Sequence, residues 1–249
     1  PITYIVVDMV TGPTQLFFII ILIFFSGELI WNDRTSNINE VINATPHPSI
    51  ASLSAKIITL TGVSTLLYFL FALIGIIYQL ILGFTDIEFG LYFTTFLYEF
   101  FPNYLFFSIL FIFIQVITNN KYRGYFISIL LALILDIILF AMDISSNMIS
   151  LGGRPSLSYS DMNGFGPGFT GAMWFTAYWL LFGGILFLIA SLFWVRSSGG
   201  SFKTRLKLAK VNLNKKNGLL LGTVCILWVA TASFVYYNTQ VLNTYTTSD

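Results

Sequence analysis

The sequence predicts an all-α polytopic membrane protein with six transmembrane helices, and three observations predict it. The first is composition: of 249 residues, 56% are hydrophobic, 18% aromatic and only 9% charged. A soluble domain carries about 25% charged residues, and the mean hydropathy here is +0.82. The second is the recurrence of apolar runs long enough for a span, which needs about 20 residues to cross roughly 30 Å of hydrocarbon. The third is where the cations lie. Apart from Arg154, all of the 12 Lys and Arg residues fall in alternate connections between the runs. Such connections are retained in the cytoplasm, so both termini are expected outside. Membrane lipids are the expected surroundings and no nucleic acid is expected as a partner. The formal net charge of +1 says nothing on that point, because what matters is where the charges lie along the chain. One cysteine, Cys225, lies inside an apolar run and excludes an internal disulfide framework. The chain opens at Pro1 without a charged n-region or cleavage site, which reads as a processed or partial chain.

In chain order, the first span is expected over about 13–31, on the run from Leu16 to Phe25. It gives way to the polar stretch "GELIWNDRTSNINEVINATPHP". There Ser36 is a fitting N-cap for a short helix over about 36–45, and Ile38, Val41 and Ile42 recur at helical spacing. Pro46 and Pro48 stop that helix before the next span. Its narrow apolar stripe suits either the bilayer surface or a groove on a cytoplasmic partner. The second span, about 56–84, is long enough to tilt or protrude. Residues 85–101, "TDIEFGLYFTTFLYEFF", are aromatic and acidic, and predict an external helix at the interface with Glu99 solvated. The third and fourth spans, about 102–118 and 125–143, flank a cytoplasmic connection bearing Lys121 and Arg123. Residues 144–169 are rich in Gly, Ser, Asn and Pro, which predicts an irregular external loop. The fifth span, about 170–195, carries the pair Gly183-Gly184, a place for close helix approach. The cytoplasmic basic segment 196–217 includes "FKTRLKLAKVNLNKK", an amphipathic helix attracted either to anionic lipid or to a protein partner. The sixth span covers about 218–237. Most of the tryptophans, Trp31, Trp174, Trp179, Trp194 and Trp228, fall near span ends, as aromatic belts do.

Two intramembrane carboxylates are singled out. Asp136, in "LALILDIILF", lies where a charge costs about 2.5–3.5 kcal/mol on insertion scales, so it is expected to face the bundle interior or a wet cavity. It reads either as a protonated or hydrogen-bonded packing residue or as part of a transport or proton path. Glu28, near the cytoplasmic end of span one, is placed to pair with Arg34 or to orient the short helix.

The stretch "SGELIWNDRTSNINEVINATP" resembles the corresponding segment of bacterial ABC type-2 transporter permeases. In particular it resembles those fused to a C-terminal extracytoplasmic zinc aminopeptidase domain. "FGLYFTTFLYEFFPNYLFF", "NNKYRGYF", "YSDMNGFG", "FWVRSSGGSFKTRLKLAK" and "YYNTQVLNTY" agree in order, so the resemblance covers nearly the whole chain. It implies that the short helix is a coupling helix seated on an ABC ATPase subunit, with Arg34, Ile38, Glu40, Val41, Ile42 and Pro46 as docking residues. It further implies a second permease half or homodimer partner, ATP and magnesium on the ATPase subunit, no cofactor in this chain, and a bacterial inner-membrane location. The departures matter too. His47 is the single histidine, so the zinc motif H-E-x-x-H cannot be built, and no G-x-x-x-x-G-K-[ST] occurs for ATP hydrolysis. The chain is therefore expected to be the permease half of an ABC transporter and not itself an enzyme. The rival readings are a membrane anchor for a fused or associated extracytoplasmic aminopeptidase, and an ATP-independent secondary transporter using Asp136.

Overall fold

The computed structural model describes residues 3–36, 49–142, 146–155, 157, 159–160, 162–166, 168–194 and 202–242. Among them every named element is helical, and six helical stretches are long and apolar enough to cross a membrane. The chain is an all-α, multi-pass membrane protein.

Helix α1 (Thr3–Thr11) leads through a turn at Gly12 and Pro13 into α2 (Gln15–Thr35), and the two form the first candidate span, Thr3–Asp33. Helix α3 (Ser49–Ile81) follows. It is closed by Gly83, whose φ of +80° lets the Phe84 amide reach back to the Gln79 carbonyl at 3.0 Å, the usual service of a glycine after a helix end. Helix α4 (Phe89–Thr118) is the most enclosed span, with 61% of its apolar window buried. It packs against α2, α3, α5 (Lys121–Ala141) and α6 (Gly168–Phe193). Two asparagines make the α4–α5 corner. Asn119 adopts the left-handed conformation at φ 48°, and the Asn120 Oδ1 accepts the Arg123 amide at 3.1 Å, which caps α5. Helix α7 (Phe202–Asn212) precedes α8 (Lys215–Tyr236), which runs on as a π-helical turn, Tyr237–Leu242. Only 6% of the α8 window is buried, so this span is the outermost of the bundle.

The six spans begin earlier than the stretches read from hydropathy. Helix α3 starts at Ser49 and ends at Ile81, three residues short of the expected 84, because a helix continues through polar residues at its start while Gly83 stops it at its end. The largest difference concerns 85–101. Those residues form no separate interfacial helix; from Phe89 they are the first half of span three. Leu91, Tyr92, Thr95, Phe96 and Phe100 turn into the core. Phe100 meets Tyr104 at 4.1 Å, Tyr68 at 4.5 Å and Phe18 at 4.9 Å between ring centroids. An aromatic run suits an interface and a core equally, and here the core claims it. Glu99 is half-buried, its side chain 28% exposed, and its Oε1 lies 3.6 Å from the Arg154 guanidinium.

Span three is interrupted. Residues Phe96–Phe100 are π-helical, and Pro102 follows two residues later. Proline has no N–H, so the carbonyl four residues back, Tyr98, loses its regular donor. Arg154 fills the gap, donating from Nη1 to the Tyr98 carbonyl at 3.3 Å and from Nη2 to the Glu99 carbonyl at 2.7 Å. The loop that carries it is held by Trp179 of α6, whose indole N–H donates to the carbonyls of Gly153 at 2.9 Å and Asn147 at 3.3 Å. Trp179 and Trp228 therefore lie within their helices rather than at an edge; Trp228 stacks on Tyr178 at 5.6 Å.

Candidate functional site

The cation-bearing ends of α2, α3 and α5 and the basic helix α7, with the ends of α4 and α6 that α7 touches, form one end of the bundle. The last turns of α2 are fastened there from three sides. Gly27 comes first, because a Cβ at this position would collide with the Tyr125 ring. Its absence lets α5 approach closely enough for the Tyr125 hydroxyl to donate to the Phe24 carbonyl at 3.2 Å and to Glu28 Oε1 at 3.3 Å. Lys121, at the start of α5, completes the cluster with its Nζ 2.7 Å from Glu28 Oε1. Glu28 thus pairs across to α5. The pair is well exposed, with side-chain exposures of 27% for Lys121 and 57% for Glu28, so its contribution is within about 0–1 kcal/mol.

The second fastening is to α4. The Trp31 indole N–H donates to Gln115 Oε1 at 3.0 Å. Gln115 is fully buried and lies where a Cβ on Gly124 would stand. The third is to α3. Lys56 Nζ is 2.7 Å from Asp33 Oδ2 and also donates to the Leu29 carbonyl. Lys56 is 13% exposed and Asp33 36%, so this ion pair is better shielded than the first. It joins the end of α2 to the beginning of α3 and brackets residues 37–48 between them.

Helix α7 attaches to the same end through Arg205, which is 6% exposed. Its guanidinium donates to Val116 (2.6 Å), Ile117 (3.1 Å) and Phe193 (3.1 Å) carbonyls. These belong to the last turns of α4 and α6, where helix carbonyls lack intrahelical donors and a cation is favoured by the helix dipole. Lys203, Lys207 and Lys210 remain exposed on α7.

The residues expected to form the docking stripe have mixed standing. Ile38, Glu40, Val41, Ile42 and Pro46 lie outside the described residues. Arg34 is in the last turn of α2 and Asp136 is in α5, with only their backbones described. Ser36, expected to cap the short helix, directs its amide back to the Asn32 carbonyl at 3.0 Å, prolonging α2. Sequence reasoning missed the Asp33–Lys56 clamp and the Arg205 tie. The visible signal for the first was that opposite charges flank the polar stretch; for the second, nothing in the chain separates Arg205 from its basic neighbours.

Among the described residues there is no His, Cys, Asp and Glu cluster able to hold a metal ion. A family profile described as ABC-2 family transporter protein matches residues 1–139, which takes in α1 to α4 and most of α5. Comparison with curated proteins and with solved structures gave no match.

Proposed function

Because the chain belongs to the ABC-2 family transporter proteins, and is thereby a permease component of an ABC transporter, we propose that residues 36–45 are the handle by which a separate ATPase subunit drives it. The single observation that supports this reading is the Asp33–Lys56 ion pair at 2.7 Å. A force applied between those residues is delivered to α2 and α3 together. The fastenings at Glu28–Lys121 and Trp31–Gln115 pass it to α5 and α4. In this reading Arg34, Ile38, Glu40, Val41, Ile42 and Pro46 meet the ATPase, ATP and magnesium are held by that subunit, and a second permease half completes the transporter. The cation-rich end faces the cytoplasm, both termini are external, and the membrane is the bacterial inner membrane. The narrower resemblance, to permeases joined to an extracytoplasmic zinc aminopeptidase, is carried by the sequence segments alone.

The test is Val41→Asp with Ile42→Asn, purified in detergent beside the parent. Burying one such aliphatic side chain contributes about 1.5–3 kcal/mol, so losing two weakens docking at least a hundredfold. The expected outcome is loss of the co-purifying ATPase and of its stimulated turnover, with the permease still monodisperse. A folded variant that retains the ATPase as tightly as the parent places the handle elsewhere.

A further inference from the structure

Beyond the ATPase handle, the opposite end of the bundle carries a polar cavity and an apolar crevice that meet at one residue. The cavity has a volume of about 310 Å³, within the range of small-ligand sites. It lies between the α1–α2 turn, the break in α4 and the loop that bears Arg154. Glu99 and Arg154 line it side by side, with Gln15, Asn103, Asn147 and Ser150 among the remaining polar groups. The ion pair therefore offers both charges to one cavity, 3.6 Å apart.

Gln15 also lines a second cavity, of about 290 Å³, with Leu16, Ile19 and Leu133. Those three residues continue into a third cavity, about 220 Å³, closed by Ile23, Phe24 and Ile129 and without polar surface. The second and third cavities are the crevice between α2 and α5. From Gln15 to Phe24 the helix rises about 13 Å, roughly half of a hydrocarbon layer of about 30 Å, which is the depth of one acyl chain. A charged, hydrogen-bonding cavity at the mouth of an apolar slot of that length has the two-part chemistry of an amphiphile.

We propose that this cavity and the α2–α5 crevice form one site for a single-chain zwitterionic amphiphile, its ammonium toward Glu99, its phosphate toward Arg154, and its chain along Leu16, Ile19 and Leu133. Zwitterionic character follows from the paired charges: an anionic headgroup satisfies Arg154 but repels Glu99. The chain follows from the slot, which offers a free polar headgroup nothing to bury.

The experiment is native mass spectrometry of the purified chain without any ATPase, so that its result is independent of the docking reading. Three probes are titrated: lysophosphatidylethanolamine, the anionic lysophosphatidylglycerol, and chain-free glycerophosphoethanolamine. Expected is one lysophosphatidylethanolamine per chain, bound at least tenfold more tightly than either other probe. Glu99→Gln should abolish the preference over lysophosphatidylglycerol. Leu133→Trp, at a partly exposed position that tolerates the ring, should weaken the lysolipid at least tenfold by filling the slot. Monodisperse elution and an unchanged helical spectrum control for folding, and Leu16→Trp stands in should either variant fail to fold. Equal binding of both lysolipids to parent and variants means ordinary boundary lipid and overturns the proposal. So does glycerophosphoethanolamine binding as tightly as the lysolipid. A Leu133→Trp chain that changes from dimer to monomer with lysolipid binding intact also overturns it, assigning the crevice to a second copy.

Discussion

Pro102 and Arg154 are best understood as one unit, although 52 positions separate them in the sequence. The proline removes a donor from the backbone of the central span, and the arginine returns two, to Tyr98 and Glu99. Burial lowers the Arg154 guanidinium from its ordinary value while the Glu99 carboxylate opposes that shift; the group stays charged, as arginine does in proteins. Leaving a buried acceptor unpaired costs about 1–3 kcal/mol, so Arg154→Gln is expected to lower the detergent melting temperature clearly. In a Pro102→Ala background the new amide can serve the Tyr98 carbonyl, and the same Arg154→Gln change should cost less. The double-mutant cycle checks this: an equal cost in both backgrounds separates Arg154 from the break in the helix. The sequence showed that Arg154 was the lone cation of its side. It could not show why, since the acceptors lie on another helix and are backbone atoms, which carry no signature in the residue type.

At the scale of elements, the Asp33–Lys56 pair makes α2 and α3 a single unit around residues 37–48. Asp33→Lys puts like charges at the clamp and is expected to reduce ATPase stimulation about fivefold, the equivalent of about 1 kcal/mol for a partly shielded pair. Combining it with Lys56→Asp restores opposite charges and should recover most of the stimulation. Failure of the double reversal to recover it, with the protein intact, means that the clamp does not transmit force. The six spans were legible because about 20 apolar residues in a row have few alternative fates. The helix over 89–101 was misassigned for the converse reason. Its aromatic rings with Glu88 and Glu99 fit an interface as well as a packed interior, and only the neighbouring Tyr68 and Phe18 decide between them. Gly183 and Gly184 had also invited a close helix approach. A Cβ on Gly183 would reach Phe106 at 3.4 Å and one on Gly184 Val224 at 3.6 Å, ordinary contact distances, whereas Gly27, Gly75 and Gly124 are glycines that close helix packing needs.

For the whole molecule, the cation asymmetry predicts orientation. On a Cys225→Ser background, a cysteine replacing the exposed Lys210 is expected to react only with reagent on the cytoplasmic side, and one replacing the fully exposed Met162 only from outside. The reverse pattern inverts the molecule and detaches the 37–48 segment from any cytoplasmic ATPase. The Arg205 tie limits what such a machine can do when it moves. Three hydrogen bonds from one guanidinium hold the ends of α4 and α6 at a set spacing, and sliding one helix past the other by a turn, about 5.4 Å, would break them together. Those two helices therefore travel as a block. On the other side α2, α3 and α5 are tied to one another by Lys56 to Asp33 and by Lys121 and Tyr125 to Glu28, and the Trp31–Gln115 hydrogen bond joins them to α4. A motor pulling on the α2–α3 corner would swing those three helices as one leaf against the α4–α6 block, much as a door turns on its fixed jamb.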